Sequence, residues 1–192
     1  MFTYLFSTFQ LLLSVHGGQT DFVVGYPVTL RRGRRMRGSI GYFVNTLPFR
    51  ARVDPDGSFD ELLDRTSRKL WRGSMHREYP YAMMPRLLDT PREPNRAGLI
   101  STMFVITDGD PGDPFTEVRE PGRRTECAGL GISEFYLPQQ QGQFDITLQV
   151  HAASARAQIK YNTSLFTEET ARGLADRYNA LLTESLRTKA TL

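Results

Sequence analysis

Apolar residues recur at Phe2, Leu5, Phe6, Phe9, Leu12 and Leu13, the spacing of one helical face, and Gly17-Gly18 supplies a stop. A helix over 2–16 is predicted. The pattern then shifts to β-branched and aromatic runs, which predict strands over 21–30 and 40–50. Ser58-Phe59-Asp60-Glu61 is a capping box, in which hydroxyl and carboxylate answer the free amides of a helix start. That helix runs to about Met75, with Phe59, Leu62, Leu63, Thr66 and Leu70 on one face. Pro80 suits the first position of a short helix, "PYAMMPRLL", which Pro85 is expected to kink or shorten. Further strands are predicted over 99–107, 127–137, 143–151 and 156–162, with 108–126 as a long loop rich in Pro, Gly and charge. Thr167 caps a last helix whose stripe is Leu174, Tyr178, Leu181 and Leu182, with Glu168 and Glu169 at its positive end. Strands and helices intermingle, so the fold class is α/β, a mixed β-sheet flanked by helices.

Composition narrows this without redirecting it. At 192 residues, 40% hydrophobic and 23% charged, the chain has the size and make-up of one domain with a real core. The apolar stretch around Leu11-Leu12-Leu13 is too short to span a bilayer, so no membrane partner is expected. No basic lead-in or cleavage site marks a signal peptide, and the single cysteine, Cys127, excludes an internal disulfide. A cytoplasmic location is the expectation, and the Asn162-Thr163-Ser164 sequon then carries no weight. The first helix opens without a polar cap, so Met1 reads as a cut or a start within a longer unit. Net charge is +3, with a local basic peak at Arg31, Arg32, Arg34, Arg35 and Arg37. No aromatic base-stacking groups are interleaved there, so a solvated loop facing an acidic partner is expected, not nucleic acid.

Candidate chemistry is sparse. His16, His76 and His151 are scattered without ligand partners at i+2 to i+4, so no metal centre is expected, and each reads as a capping or surface histidine. Cys127 reads as a buried small hydrophobe. Asp108-Gly109-Asp110-Pro111-Gly112-Asp113 lacks the ligand spacing of a calcium loop, and Gly129-Leu130-Gly131 lacks the third glycine of a dinucleotide loop. One oddity remains: Asn45 places an amide inside the apolar run "SIGYFVNTLPFR". It is a satisfied core residue, a strand-end cap or part of a site.

The order of segments adds more. "LLLSVHGGQTDFVVGYPVTLR", "IGYFVNTLPFR", "SFDELLDRTSRKL", "HREYPYAMMPRLL", "FDITLQV" and "YNTSLFTEET" resemble the C-terminal half of nonribosomal peptide synthetase condensation domains. Ile40-Gly41-Tyr42-Phe43-Val44-Asn45-Thr46 carries most of that likeness, with Gly25-x-Pro27-Val28-x-x-Arg31 and Phe144-Asp145-Ile146-Thr147-Leu148 in the right order. The resemblance implies one lobe of a two-lobed chloramphenicol-acetyltransferase-like fold. It implies transfer of an acyl or peptidyl group from one carrier-protein phosphopantetheine thioester to the amine on another. The family's His-His-x-x-x-Asp-Gly signature lies in the other lobe, and this sequence has no His-His pair. No catalytic residue is therefore expected here, and the isolated chain is expected to be inactive in amide formation.

The implied partners are the N-terminal condensation lobe and a peptidyl or acyl carrier protein, whose phosphopantetheine arm carries substrate; no cofactor is bound directly. Asn45, Thr46 and Phe43 are the implied cleft residues, Arg31 and Asp145 structural residues near the cleft, with Asp145 expected to pair with an arginine such as Arg31, and Arg34 and Arg35 carrier-docking residues. Residues 106–145 form a long loop, with an arm toward the other lobe over 115–145. Pro80-Tyr81-Ala82-Met83-Met84 departs from the family's Pro-Phe-Glu-x-Leu, and Arg92-Glu93-Pro94-Asn95-Arg96-Ala97-Gly98 matches its usual segment only loosely. The alternatives are a non-catalytic module that recruits a carrier protein or tailoring partner, and an enzyme using His76 or His151.

Overall fold

Helix α1, Phe2–Gly17, ends where Gly18 takes a left-handed conformation (φ 64°) and donates its N–H to the Ser14 carbonyl at 2.9 Å. Its buried stripe is Phe6, Phe9 and Leu12. The computed structural model describes residues 1–33, 36, 38–88, 98–107, 118, 122–133, 135 and 143–190, excepting the side chains of 188–190. Strand β1, Asp21–Thr29, pairs antiparallel with β2, Val44–Arg52, from Asp21–Arg52 to Thr29–Val44. The expected second strand thus starts later than residue 40. Ile40 and Tyr42 stand exposed with no ladder partner, and the Arg31 guanidinium holds the Met36 and Ser39 carbonyls instead.

Helix α2, Phe59–Met75, forms with its capping box complete: Glu61 N–H donates to the Ser58 hydroxyl, and Ser58 N–H to the Glu61 carboxylate. A 3-10 turn, Tyr81–Met83, leads into α3, Met84–Leu87. The nine-residue stretch is shortened and broken as expected, and Pro85 falls in the first turn of α3, where a missing donor costs nothing. Strand β3, Thr102–Thr107, follows.

The single strand expected over 127–137 is instead a hairpin of β4, Arg124–Cys127, and β5, Leu130–Ser133. Ala128 (φ 51°) and Gly129 (φ 77°) make its two-residue turn, both left-handed as a primed hairpin turn requires. Cys127 is half-buried on β4, not fully buried, because this hairpin stands apart from the main sheet. The Asp108–Asp113 segment lies outside the described residues. Strands β6, Ile146–His151, and β7, Arg156–Tyr161, complete a mixed sheet of order β2-β1-β3-β6-β7. β1, β3 and β6 run parallel, with β2 and β7 antiparallel at the edges.

Helix α4, Glu168–Ala190, starts with the Thr170 N–H donating to the Thr167 hydroxyl. One sheet face is covered by α1, α2 and α4. Phe6 stands at the junction, its ring 5.8 Å from Tyr26 of β1, 4.9 Å from Phe49 of β2 and 5.2 Å from Phe104 of β3. Gln10 donates to the Thr66 hydroxyl across α1 and α2, and the Tyr178 hydroxyl of α4 donates to the Leu5 carbonyl. On the opposite face Gly25 leaves room for Ile100: a Cβ there would lie 2.8 Å from Ile100 Cγ2. Among the described residues no helix is long and apolar enough to cross a membrane.

Candidate functional site

The expected site residues cluster at the C-terminal end of β1, where β2 begins. Val28 pairs with Asn45 and Pro27 with Thr46, and the Leu30 N–H donates to the Phe43 carbonyl at 2.7 Å. Asn45 shares its face with Leu47 and the helices, and strand alternation turns Thr46 to the opposite face. The two adjacent residues therefore cannot line the same wall.

Asn45 is the hub of this end. Its Nδ2 donates to the carbonyls of Arg77 (2.8 Å) and Tyr79 (2.7 Å), and its Oδ1 accepts from the Tyr81 N–H (3.1 Å). Both amide hydrogens are engaged, so the side chain fastens the segment between α2 and the 3-10 turn to the edge strand. This accounts for an amide in an apolar run: it supplies partners to three backbone groups of a turn, two of them part-buried.

Arg31 organises the neighbouring loop. Its guanidinium lies 4.4 Å from the Phe43 ring centroid while donating to Met36 and Ser39. Arg32 reaches Glu78 at 2.6 Å, joining that loop to the segment Asn45 holds. The expected pair between Arg31 and Asp145 does not form. The Asp145 N–H donates to Ser101, at the N-terminal end of the parallel strands, whereas Arg31 follows the C-terminal end of β1. At about 3.3 Å per residue, roughly 25 Å of sheet separates them. Arg34 and Arg35 lie outside the described residues.

The histidines stay apart. His16 is in the last turn of α1, His76 caps α2, and His151 Nδ1 lies 2.8 Å from the Thr107 hydroxyl across β3 and β6. Among the described residues no group of His, Cys, Asp or Glu is arranged to hold a metal. A cavity of about 480 Å³ lies elsewhere, between α1, α4 and β6–β7, lined by Leu5, Leu148, Val150, Ile159, Tyr178 and Leu182. It includes none of the expected site residues.

Electrostatics concentrate at the far end of the β1–β2 pair. Hydrogen bonds from Arg50, foremost, and from Arg52 hold the Asp21 carboxyl down at about 2. Lys69 of α2 donates to the Arg50 carbonyl at 2.9 Å, and burial together with Arg52 and Arg65 pushes its ammonium below the usual lysine range. The apolar-face pattern of α2 left two of its residues unexplained, Trp71 and Met75, and both are exposed. Their signal in the sequence is a large apolar pair out of phase with Leu62, Thr66 and Leu70, set among basic residues.

The condensation domain family matches residues 1–190 by its sequence profile. Surfactin synthase subunit 1 of Bacillus subtilis (strain 168) is 28% identical over 185 residues, which are 96% of this chain and 5% of that protein. A four-domain nonribosomal peptide synthetase of known structure superposes with a TM-score of 0.85 at 24% identity, over 95% of this chain and 14% of the other. The starter condensation domain of rhizomide synthetase superposes with a TM-score of 0.71 at 20% identity, over 94% of this chain and 40% of that one. The chain thus spans a small part of the relatives it matches.

Proposed function

The chain belongs to the condensation domain family, and on that premise we propose that it is the acceptor-side half of a condensation-type acyltransferase. The reaction is amide formation: a carrier-bound amine attacks the carbonyl of a second carrier's thioester, the C–N bond forms, and the phosphopantetheine thiol leaves. The carrying observation is a mismatch. The chain aligns almost throughout its length yet covers 40% of a condensation-domain chain, and its histidines at 16, 76 and 151 include no adjacent pair. A second, N-terminal lobe supplies the His-His-x-x-x-Asp-Gly groups in this reading, and the partners are that lobe and a carrier protein.

Within this half, Asn45 builds the wall and has no amide N–H left to donate to substrate. Its donors are committed to Arg77 and Tyr79, so it fixes the 77–81 segment against β2. Phe43, under the Arg31 guanidinium, closes the same end, and the Thr46 hydroxyl faces the other side of the sheet for the pantetheine arm. The test is amide formation from two loaded carrier proteins, with and without a supplied N-terminal lobe. The expected result is no product from the chain alone and turnover once the lobe is added; robust turnover by the isolated chain overturns the reading. The engagement of both Asn45 donors also suits a non-catalytic recruiting module, for which lobe addition restores nothing while carrier binding persists.

A further inference from the structure

We propose that the C-terminal half of α2 is a docking stripe for an acidic amphipathic helix of a protein partner. The inference goes beyond the acyl-transfer reading and does not depend on it. Helix α2 buries Leu62 and Thr66 against the core, and the opposite face presents Arg68, Trp71, Arg72 and Met75 at i, i+3, i+4 and i+7. Trp71 is 66% exposed and Met75 56%, large apolar groups left uncovered by the packing of the described residues. Between residues 65 and 77 there is no carboxylate; Asp60, Glu61 and Asp64 are confined to the first two turns, and Glu78 is engaged by Arg32.

Cations near a helix C-terminus complement its dipole, which accounts for Arg72. The dipole does not account for an exposed indole and thioether between two arginines. The positive field also extends past the helix: Arg65 and Lys69 donate to the carbonyls of Arg52 and Arg50, bringing the two basic rows together beside the Asp21 carboxylate. Trp and Arg around an apolar centre are the composition of an interface hot spot, and Met adapts to irregular apolar side chains. The complementary surface is a helix with carboxylates flanking a leucine stripe. A nucleic-acid strand would want successive aromatic platforms, whereas this stripe has one aromatic and a flexible thioether.

Trp71 is the only tryptophan of the chain, so its emission reports the contact directly. The probe is a labelled sixteen-residue helical peptide with glutamates beside a Leu stripe, titrated into the full chain; a scrambled peptide and single-stranded DNA of equal charge serve as comparators. The expected result is a blue shift of Trp71 emission, anisotropy binding that weakens with salt, and about tenfold loss in both Trp71→Ala and the double variant Arg68→Glu/Arg72→Glu. These side chains are exposed, and unchanged circular dichroism and melting temperature confirm that loss of binding is not loss of fold. An absent blue shift, variants that bind as the parent does, or tighter binding of the scrambled peptide or of DNA each overturns the proposal.

Discussion

At the scale of single residues, Asn45 shows how one polar side chain can serve three backbone groups. Asn45→Ala strands the Arg77 and Tyr79 carbonyls and the Tyr81 N–H, and we expect it to cost about 1–3 kcal/mol in denaturant unfolding. Asn45→Asp sets a carboxylate oxygen against two carbonyls, so a greater loss than with alanine is expected; an equal loss would show that the oxygen–oxygen repulsion is relieved. Ser7 is the converse case: its hydroxyl is fully buried with no hydrogen-bond partner among the described residues. Ser7→Ala is expected to raise stability by about 1 kcal/mol, read from the unfolding midpoint. Asp21 sets an acid limit. Its carboxyl is depressed from 3.8 to about 2, so its pairing stabilises the fold fully above the unfolded value and is lost as pH falls from 3.8 toward 2. Melting temperatures of the parent are expected to drop through that window, and those of Asp21→Asn to drop less.

At the scale of elements, what could be read from the sequence was what local chemistry determines. The capping box of α2 and the Gly stop of α1 are written in neighbouring residues, and both ends fall where those residues place them. The β4–β5 hairpin escaped because Ala128-Gly129 is a poor advertisement for a primed turn, which Asn-Gly would have announced. The Arg31–Asp145 pair failed for a longer-range reason: sequence motifs carry no strand direction, and the parallel register of β1, β3 and β6 sends the two residues to opposite ends. The Asn45 amide was visible, but the turn it holds lies more than thirty positions away (|i−j| of 32 to 36) and could not be inferred from spacing. Gly25 shows the same dependence. Its role appears only when Ile100 is packed on β1, and Gly25→Ala is expected to cost about 1–3 kcal/mol through overpacking, with thermal unfolding as the check.

At the scale of the whole molecule, three helices on one sheet face share an aromatic centre, and the sheet they cover is joined unevenly. β1 is registered with β2 along its whole length, but with β3 only through Val24–Thr102 and Gly25–Met103. The halves on either side are β1, β2 and α2, close together in the chain, and β3, β6, β7 and α4. Phe2 and Phe6 of α1 lie across the join, touching Tyr26 on one side and Phe104 on the other. Helix α1 is thus a clasp, and the two halves are candidate cooperative units for sub-global opening. Amide hydrogens along the β1–β3 boundary then exchange with solvent through an opening whose free energy is set by α1 more than by the ladder itself. Weakening the clasp, as in Phe6→Ala, would speed exchange at that boundary ahead of exchange within β1–β2. A sheet so joined can part along one line without losing either side.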